Sequence, residues 1–138
     1  MYSTRLRNDT QRYVAKCIIN QSGPKVIDFV VDTGARYTCC SSLNISTRLD
    51  EQDFHNTETK TLGGIVAGYA IKVYKYHVEQ FTIGTIDMGA QDIWITFDQR
   101  TTDDVLGMDI LKQVYFLQDM IANRLIFSKE KSKLTCNI

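Results

Sequence analysis

One acidic side chain in this sequence stands where a carboxylate is costly. Asp32 closes the apolar run Phe29-Val-Val and is followed at once by Thr33, Gly34 and Ala35. A charged carboxylate at the end of a buried strand needs hydrogen-bond donors around it. A turn supplies them, because glycine lets backbone N–H groups approach closely. The Thr33 hydroxyl is placed to lock such a loop. A carboxylate held this way can take a proton from water or give one to a carbonyl oxygen. Asp-Thr-Gly is equally the composition of an ordinary type I or II turn, so the triplet alone leaves both readings open.

Other side chains with chemical potential have plainer readings. His55 and His77 are read as surface or strand residues. Asp103-Asp104 imitates an acid pair and is read as a solvated turn. Trp94 on a strand is read as core. Cys17, Cys39, Cys40 and Cys136 form no C-x-x-C, and neither histidine is near them in sequence. Zinc-site spacing is therefore missing, and no metal or other cofactor is expected. Free thiols in a reducing compartment are the expectation for all four.

The elements that must position Asp32 read as strands. Tyr13–Ile19 is rich in β-branched residues, Ser22-Gly23-Pro24 is a turn signal, and Val26–Val31 returns as the second strand of a hairpin. Tyr37–Cys40 is a short strand leaving the Asp32 turn. Residues 42–54 are polar and read as a loop or a short helix. Residues 57–61 are β-prone, and Gly63, Gly64 and Gly68 then make a mobile hairpin tip more natural than a core strand. Residues 69–78 return as a long strand whose alternation slips at Val73 and Tyr74, suggesting a bulge. Phe81–Ile83 and Asp92–Phe97 are further strands. Val105-Leu106-Gly107 is a short apolar run, and Met108–Val114 has helical spacing. Tyr115–Leu117 and Arg124–Phe127 can pair as a last hairpin. The charged tail at 129–133 is read as solvated.

The whole chain, 1–138, reads as one domain, with 43% hydrophobic and 23% charged residues. Sixteen basic and sixteen acidic side chains cancel. A nucleic-acid partner would normally demand a basic face, so none is expected. No run approaches the roughly 20 apolar residues of a membrane helix, so no membrane partner is expected. The polar N-terminus lacks the apolar middle of a signal peptide, which makes a cytoplasmic protein the default. Many short strands and one late helix favour an all-β, closed, barrel-like domain.

Val30-Val31-Asp32-Thr33-Gly34-Ala35, a glycine-rich segment, and then Val105-Leu106-Gly107-Met108-Asp109-Ile110-Leu111 occur in that order. This arrangement resembles the retropepsin family of aspartic proteases, the retroviral enzymes and their cellular and bacterial relatives. The resemblance spans roughly residues 13–127. It implies the acid protease fold with a flap hairpin and one short C-terminal helix. It implies Asp32 as the catalytic carboxylate in an active-site loop with Thr33, Gly34 and Ala35. Thr33 would bond across a dimer to the partner's matching loop, and Gly34 would contact substrate backbone. Gly63 and Gly64 would form the flap tip, with Ile65 and Val66 beside them against substrate. Val105, Leu106 and Gly107 would support the loop from behind.

The sequence departs from the viral pattern in two ways. Asp32 and Gly107 are 75 positions apart, and the extra length falls in residues 42–60. Viral members often pair an acid after Asp-Thr-Gly-Ala with an Arg after the later Gly. Here those positions are Arg36 and Met108, which leaves Arg36 to reach for Asp109.

Aspartic-protease chemistry needs two carboxylates sharing one proton. This chain carries one Asp-Thr-Gly, so a C2 homodimer must supply the other. The terminal strands, residues 2–6 and 124–127, are candidates for an intersubunit sheet. The expected function is a homodimeric aspartic endopeptidase acting on extended peptide or protein substrates, with apolar pockets near Ile65, Val66 and Ile95. The alternatives are a catalytically silent dimeric peptide-binding module of the same fold, or a bland β domain with a chance motif.

Overall fold

A computed structural model of the chain describes residues 1–7, 12–66, 68–101, 103–131 and 134. Cys136 and part of the charged tail lie outside them. The regular structure of the described chain is mostly strands. They are β1 (Tyr2–Arg7), β2 (Arg12–Asn20), β3 (Pro24–Val31), β4 (Cys39–Ser41), β5 (Thr59–Val66), β6 (Tyr69–Val78), β7 (Gln80–Ile83), β8 (Ile86–Asp87), β9 (Gln91–Thr96), β10 (Asp104–Leu106), β11 (Tyr115–Asp119) and β12 (Arg124–Ser128). Two four-residue helices interrupt them, α1 (Ser42–Ile45) and α2 (Met108–Leu111).

The alternation of β2 and β3 sets the core. Ala15, Cys17 and Ile19 are buried on one strand, and Ile27 and Phe29 on the other. The strands pair antiparallel from Val14↔Val30 to Asn20↔Pro24. Ser22 and Gly23, both at positive φ, turn the chain between them. Phe81, Phe127, Ile83, Ile95, Leu106 and Leu111 complete the interior, each fully enclosed. Burying each such side chain contributes about 1.5–3 kcal/mol.

The hydrogen-bonded path runs β11-β12-β1-β2-β3-β10-β4-β9-β6-β5, with β7 beside β2 and β8 beside β7. Its two ends do not pair among the described residues, so the barrel-like sheet is open rather than closed. β10 runs parallel to β3 and antiparallel to β4, which in turn runs parallel to β9. The sequence-distant segments 29–31 and 104–106 therefore lie side by side.

Several local expectations are revised. Residues 42–54 are not among them: the short helix allowed there is present as α1, capped by the Ser41 hydroxyl, with a 3₁₀ turn at Glu51–Phe54, capped by Asp50. The alternation slip at Val73 and Tyr74 is no bulge: β6 pairs continuously there, and both of its faces are covered. The bulge sits instead in β5, between Leu62 and Val66. α2 ends at Leu111, and Val114 is buried after the helix has ended. β1 and β12 pair with each other, Tyr2↔Phe127 to Arg5↔Arg124, so these terminal strands are joined within one chain. Among the described residues no helix is long and apolar enough to cross a membrane.

Candidate active site

The loop after β3 is held by backbone hydrogen bonds at both ends. The Asp32 N–H donates to the Leu106 carbonyl at 3.0 Å, and the Ala35 N–H donates to the Asp32 carbonyl at 3.1 Å. Within the turn, the Gly34 N–H donates to Asp32 Oδ1 at 2.9 Å. A Cβ at Gly34 would stand 3.2 Å from that oxygen, so glycine keeps the carboxylate unhindered. Asp32, Thr33 and Gly34 are all exposed. Among the described residues the Thr33 side chain makes no hydrogen bond, and none reaches the second Asp32 oxygen.

α2 clamps the far side of the loop. The Met108 N–H donates to the Ala35 carbonyl at 2.8 Å, and the Asp109 N–H to the Arg36 carbonyl at 3.1 Å. Thr38, fully buried, ties the two segments together. Its N–H reaches both Asp109 carboxylate oxygens at 3.0 Å, its hydroxyl donates to Asp109 Oδ1 at 2.6 Å, and the Gly107 N–H donates to that hydroxyl at 3.0 Å. A Cβ on Gly107 would come within 2.6 Å of the Tyr37 backbone, so the close approach requires glycine. The expected Arg36–Asp109 pair does not form. Thr38 occupies that carboxylate, and the Arg36 guanidinium lies 5.6 Å from the Tyr37 ring centre. Thr38 escaped the sequence reading because its partner is 71 positions away.

Strand register sorts the remaining residues onto two faces, because paired residues share a face and neighbours along a strand alternate. Val30 pairs Val105, Val105 pairs Cys39, and Cys39 pairs Trp94. Trp94 pairs Lys75 on β6, and Val73, two residues earlier on that strand, pairs Lys60 on β5. The alternation carries Asp32 to the Val30 side. On this face Cys39, Ile71, Val73 and Trp94 form a second, smaller apolar cluster, with Tyr37 and Leu62 packed on it. The opposite face carries Leu106, Cys40, Tyr74 and Ile95 into the main core.

This sorting corrects one expectation. Ile95 is fully buried in the main core and lines no pocket on the Asp32 side. Trp94 is buried core as expected, and register places it in the smaller apolar cluster on the Asp32 face. Within the support strand, Val105 is half-exposed toward that face, while Leu106 is buried behind it. Only the strand register separates these neighbours.

β5 and β6 form a hairpin beside this face. Gly63 and Gly64 lie in the β5 bulge, and Gly64 has φ of +86°. The reversal itself comes later, between paired Val66 and Tyr69, with Gly68 at φ of +78°. The tip therefore falls beyond the Gly63-Gly64 pair. Ile65 and Val66 are part of β5.

The other candidates sit elsewhere. Asp104 is not in a solvated turn. It is 8% exposed on β10 and accepts from the Ser41 N–H at 2.9 Å and from Asn44 Nδ2 at 2.6 Å. Burial pushes its carboxyl above the ordinary range, against the opposing pull of those two donors. Asp103 pairs with Arg12 at 2.9 Å on the surface. His77 contacts Asp92 at 2.8 Å, and His55 contacts the Gln52 carbonyl, both in exposed positions. Burial also raises the Cys39 thiol to about 12, and Cys17 and Cys40 rise for the same reason. A cavity of about 450 Å³ between α1, the 3₁₀ turn and the end of β9 contains none of the Asp32-loop residues.

Residues 15–113 match the family described as gag-polyprotein putative aspartyl protease. Among solved structures, the chain is similar to a retropepsin-like aspartic protease from Rickettsia conorii. The TM-score is 0.63 at 16% identity, covering 91% of this chain and 88% of that one. No curated protein matches the chain.

Proposed function

Because the chain belongs to the gag-polyprotein putative aspartyl protease family, we propose that it is an aspartic endopeptidase acting as a twofold homodimer, with Asp32 of each copy supplying half of the catalytic pair. The observation that carries this reading is the Asp32 loop. Its carboxylate ends a strand anchored to Leu106, has one oxygen held by the Gly34 N–H, and is exposed in the single chain. A lone exposed carboxylate is half of the required machinery, and the sequence holds one Asp-Thr-Gly.

In the dimer the two Asp32 groups lie about 3 Å apart and hold one proton between them, since both cannot ionise easily at that separation. The ionised group takes a proton from a water molecule as that water attacks the scissile carbonyl carbon. The protonated group donates to the carbonyl oxygen. The tetrahedral intermediate then collapses as the nitrogen is protonated and the C–N bond breaks. The pair titrates as a unit. Thr33, without a hydrogen-bond partner in its own chain among the described residues, bonds the partner copy's matching loop. The β5–β6 hairpin serves as the flap, and the bulge at Gly63-Gly64 together with Gly68 lets it move. The substrate is an extended peptide, paired strand-like along the Asp32 face. Three buried free thiols support a reducing, cytoplasmic setting.

The decisive experiment pairs an unbiased peptide library with Asp32→Asn. Wild type is expected to cleave, and the variant to remain a folded dimer by sedimentation while losing cleavage by at least about a thousandfold. Retained cleavage in the variant refutes the assignment. A folded wild type that never cleaves points to the silent peptide-binding alternative.

A further inference from the structure

We infer that Lys60, held over Tyr37 and Trp94 on the Asp32 face, is a specificity-determining residue that makes one substrate subsite select an acidic side chain. The inference rests on the peptidase reading above and adds a substrate class to it. Three observations support it.

The first is position. Lys60 shares its sheet face with Trp94, Cys39, Val105 and Val30 through an unbroken set of register pairs. That is the face to which alternation brings Asp32. Trp94 lies three strands from Val30, or about 14 Å at ordinary strand spacing. An extended peptide covers that span in about four residues.

The second is the state of the cation. Lys60 Nζ lies 5.0 Å from the Tyr37 ring centre and 5.2 Å from that of Trp94. The two rings meet edge to face at 5.9 Å, which fixes the platform under the ammonium. Ring faces attract a cation without using its N–H donors. Lys60 is half-buried, and no carboxylate stands within ion-pair distance among the described residues. Its neighbour Lys75 differs, being paired with Glu58 at 2.6 Å.

The third is the local charge. Arg36 adds a second cation against the same Tyr37 ring. Glu58 is taken by Lys75, and Asp109 is taken by Thr38. Glu58, near enough to feel the Lys60 charge, gives its hydrogen bond to Lys75, so the Lys60 ammonium stands beside an apolar floor without a carboxylate at ion-pair distance among the described residues. When a peptide and the hairpin cover it, water is excluded from an unpaired ammonium, which is costly. A substrate Asp or Glu removes that cost, and a Lys or Arg increases it. In the twofold dimer the subsite occurs once on each side of the scissile bond.

The test compares wild type, Lys60→Met and Lys60→Glu on library cleavage and on matched peptides that differ only in an acidic, neutral or basic residue. A parallel arm measures binding of the same peptides to Asp32→Asn and to Asp32→Asn/Lys60→Glu by fluorescence anisotropy. Expected is enrichment of Asp and Glu at a fixed distance of up to about four residues from the cut, on either or both sides of it, and a fall of at least about tenfold in the acidic-to-neutral kcat/KM ratio in Lys60→Met. Lys60→Glu should move the preference toward Lys and Arg. Wild-type cleavage without acidic enrichment, or a ratio unchanged in both variants, overturns the inference. If wild type cleaves nothing, the binding arm decides. Tighter binding of the acidic peptide that is lost with Lys60→Glu upholds the subsite while the peptidase reading falls. Equal binding of all three peptides overturns the subsite as well.

Discussion

Thr38 and Asp109, 71 positions apart, are joined by three hydrogen bonds of 3.0, 3.0 and 2.6 Å, and the same threonine hydroxyl accepts the Gly107 N–H. The contact binds the segment leaving Asp32 to the start of α2. It occupies the place where an Arg–acid pair was looked for, and it does so with a buried hydroxyl and two backbone N–H groups.

Thr38→Val keeps the shape and removes the hydroxyl, leaving the Gly107 N–H without its acceptor. Leaving a buried donor unpaired costs about 1–3 kcal/mol. Urea unfolding should show that loss. Peptidase kcat/KM should fall with it, because the Asp32 loop is braced through Ala35 and Arg36 by the same helix start. Unchanged stability would mean that water or a rearranged backbone replaces the bond.

Glycines 107 and 63 should differ sharply in their response to alanine. At Gly107 the added carbon meets Tyr37 backbone at 2.6 Å, which has little room to give. A loss of about 1–3 kcal/mol is expected, as for overpacking in a well-filled core. At Gly63 nothing lies within 4 Å, and its φ is not positive, so Gly63→Ala should leave stability within about 0.5 kcal/mol. Thermal melts of the two variants side by side test the contrast.

Asp104 gives a pH signature. Its folded pKa is raised above the ordinary value of 3.8, chiefly by burial. Below 3.8 the group is neutral in both folded and unfolded chains and exerts no pH dependence. As pH rises from there, the unfolded chain ionises first, so the stability contributed by this group declines until its folded pKa is passed. The unfolding free energy of wild type relative to Asp104→Asn should therefore fall as pH climbs from 3.8. Denaturant curves across the acidic range measure it; a rising difference would contradict the assignment.

The buried thiols should be silent in the native protein. Cys17, Cys39 and Cys40 are enclosed, and burial keeps them as thiols at neutral pH. A thiol reagent should label none of these three in the native state and all of them in denaturant, as peptide mass mapping would show.

The Asp-Thr-Gly turn, the apolar-Gly run and the short helix were legible because each is encoded within a few adjacent residues. The same holds for β2, β3 and β9, where alternation or a β-branched run announces the strand. Asp104 was misjudged because an acid pair ordinarily seeks water, and nothing nearby in sequence reveals Ser41 and Asn44 as its donors. Ile95 was assigned to the wrong face because a run buried on both faces does not say which side is which.

The linear order of residues by itself determined the family resemblance, the half-site logic of one Asp-Thr-Gly per chain, and the strand-rich fold. Only the tertiary structure decided which side chains share the Asp32 face, that Thr38 holds Asp109, and that Lys60 sits above two rings. The reason is physical. Turn chemistry and strand alternation act over a few bonds, whereas strand register is fixed by packing between segments far apart in the chain, and a shift of one residue moves every side chain of a strand to the other face.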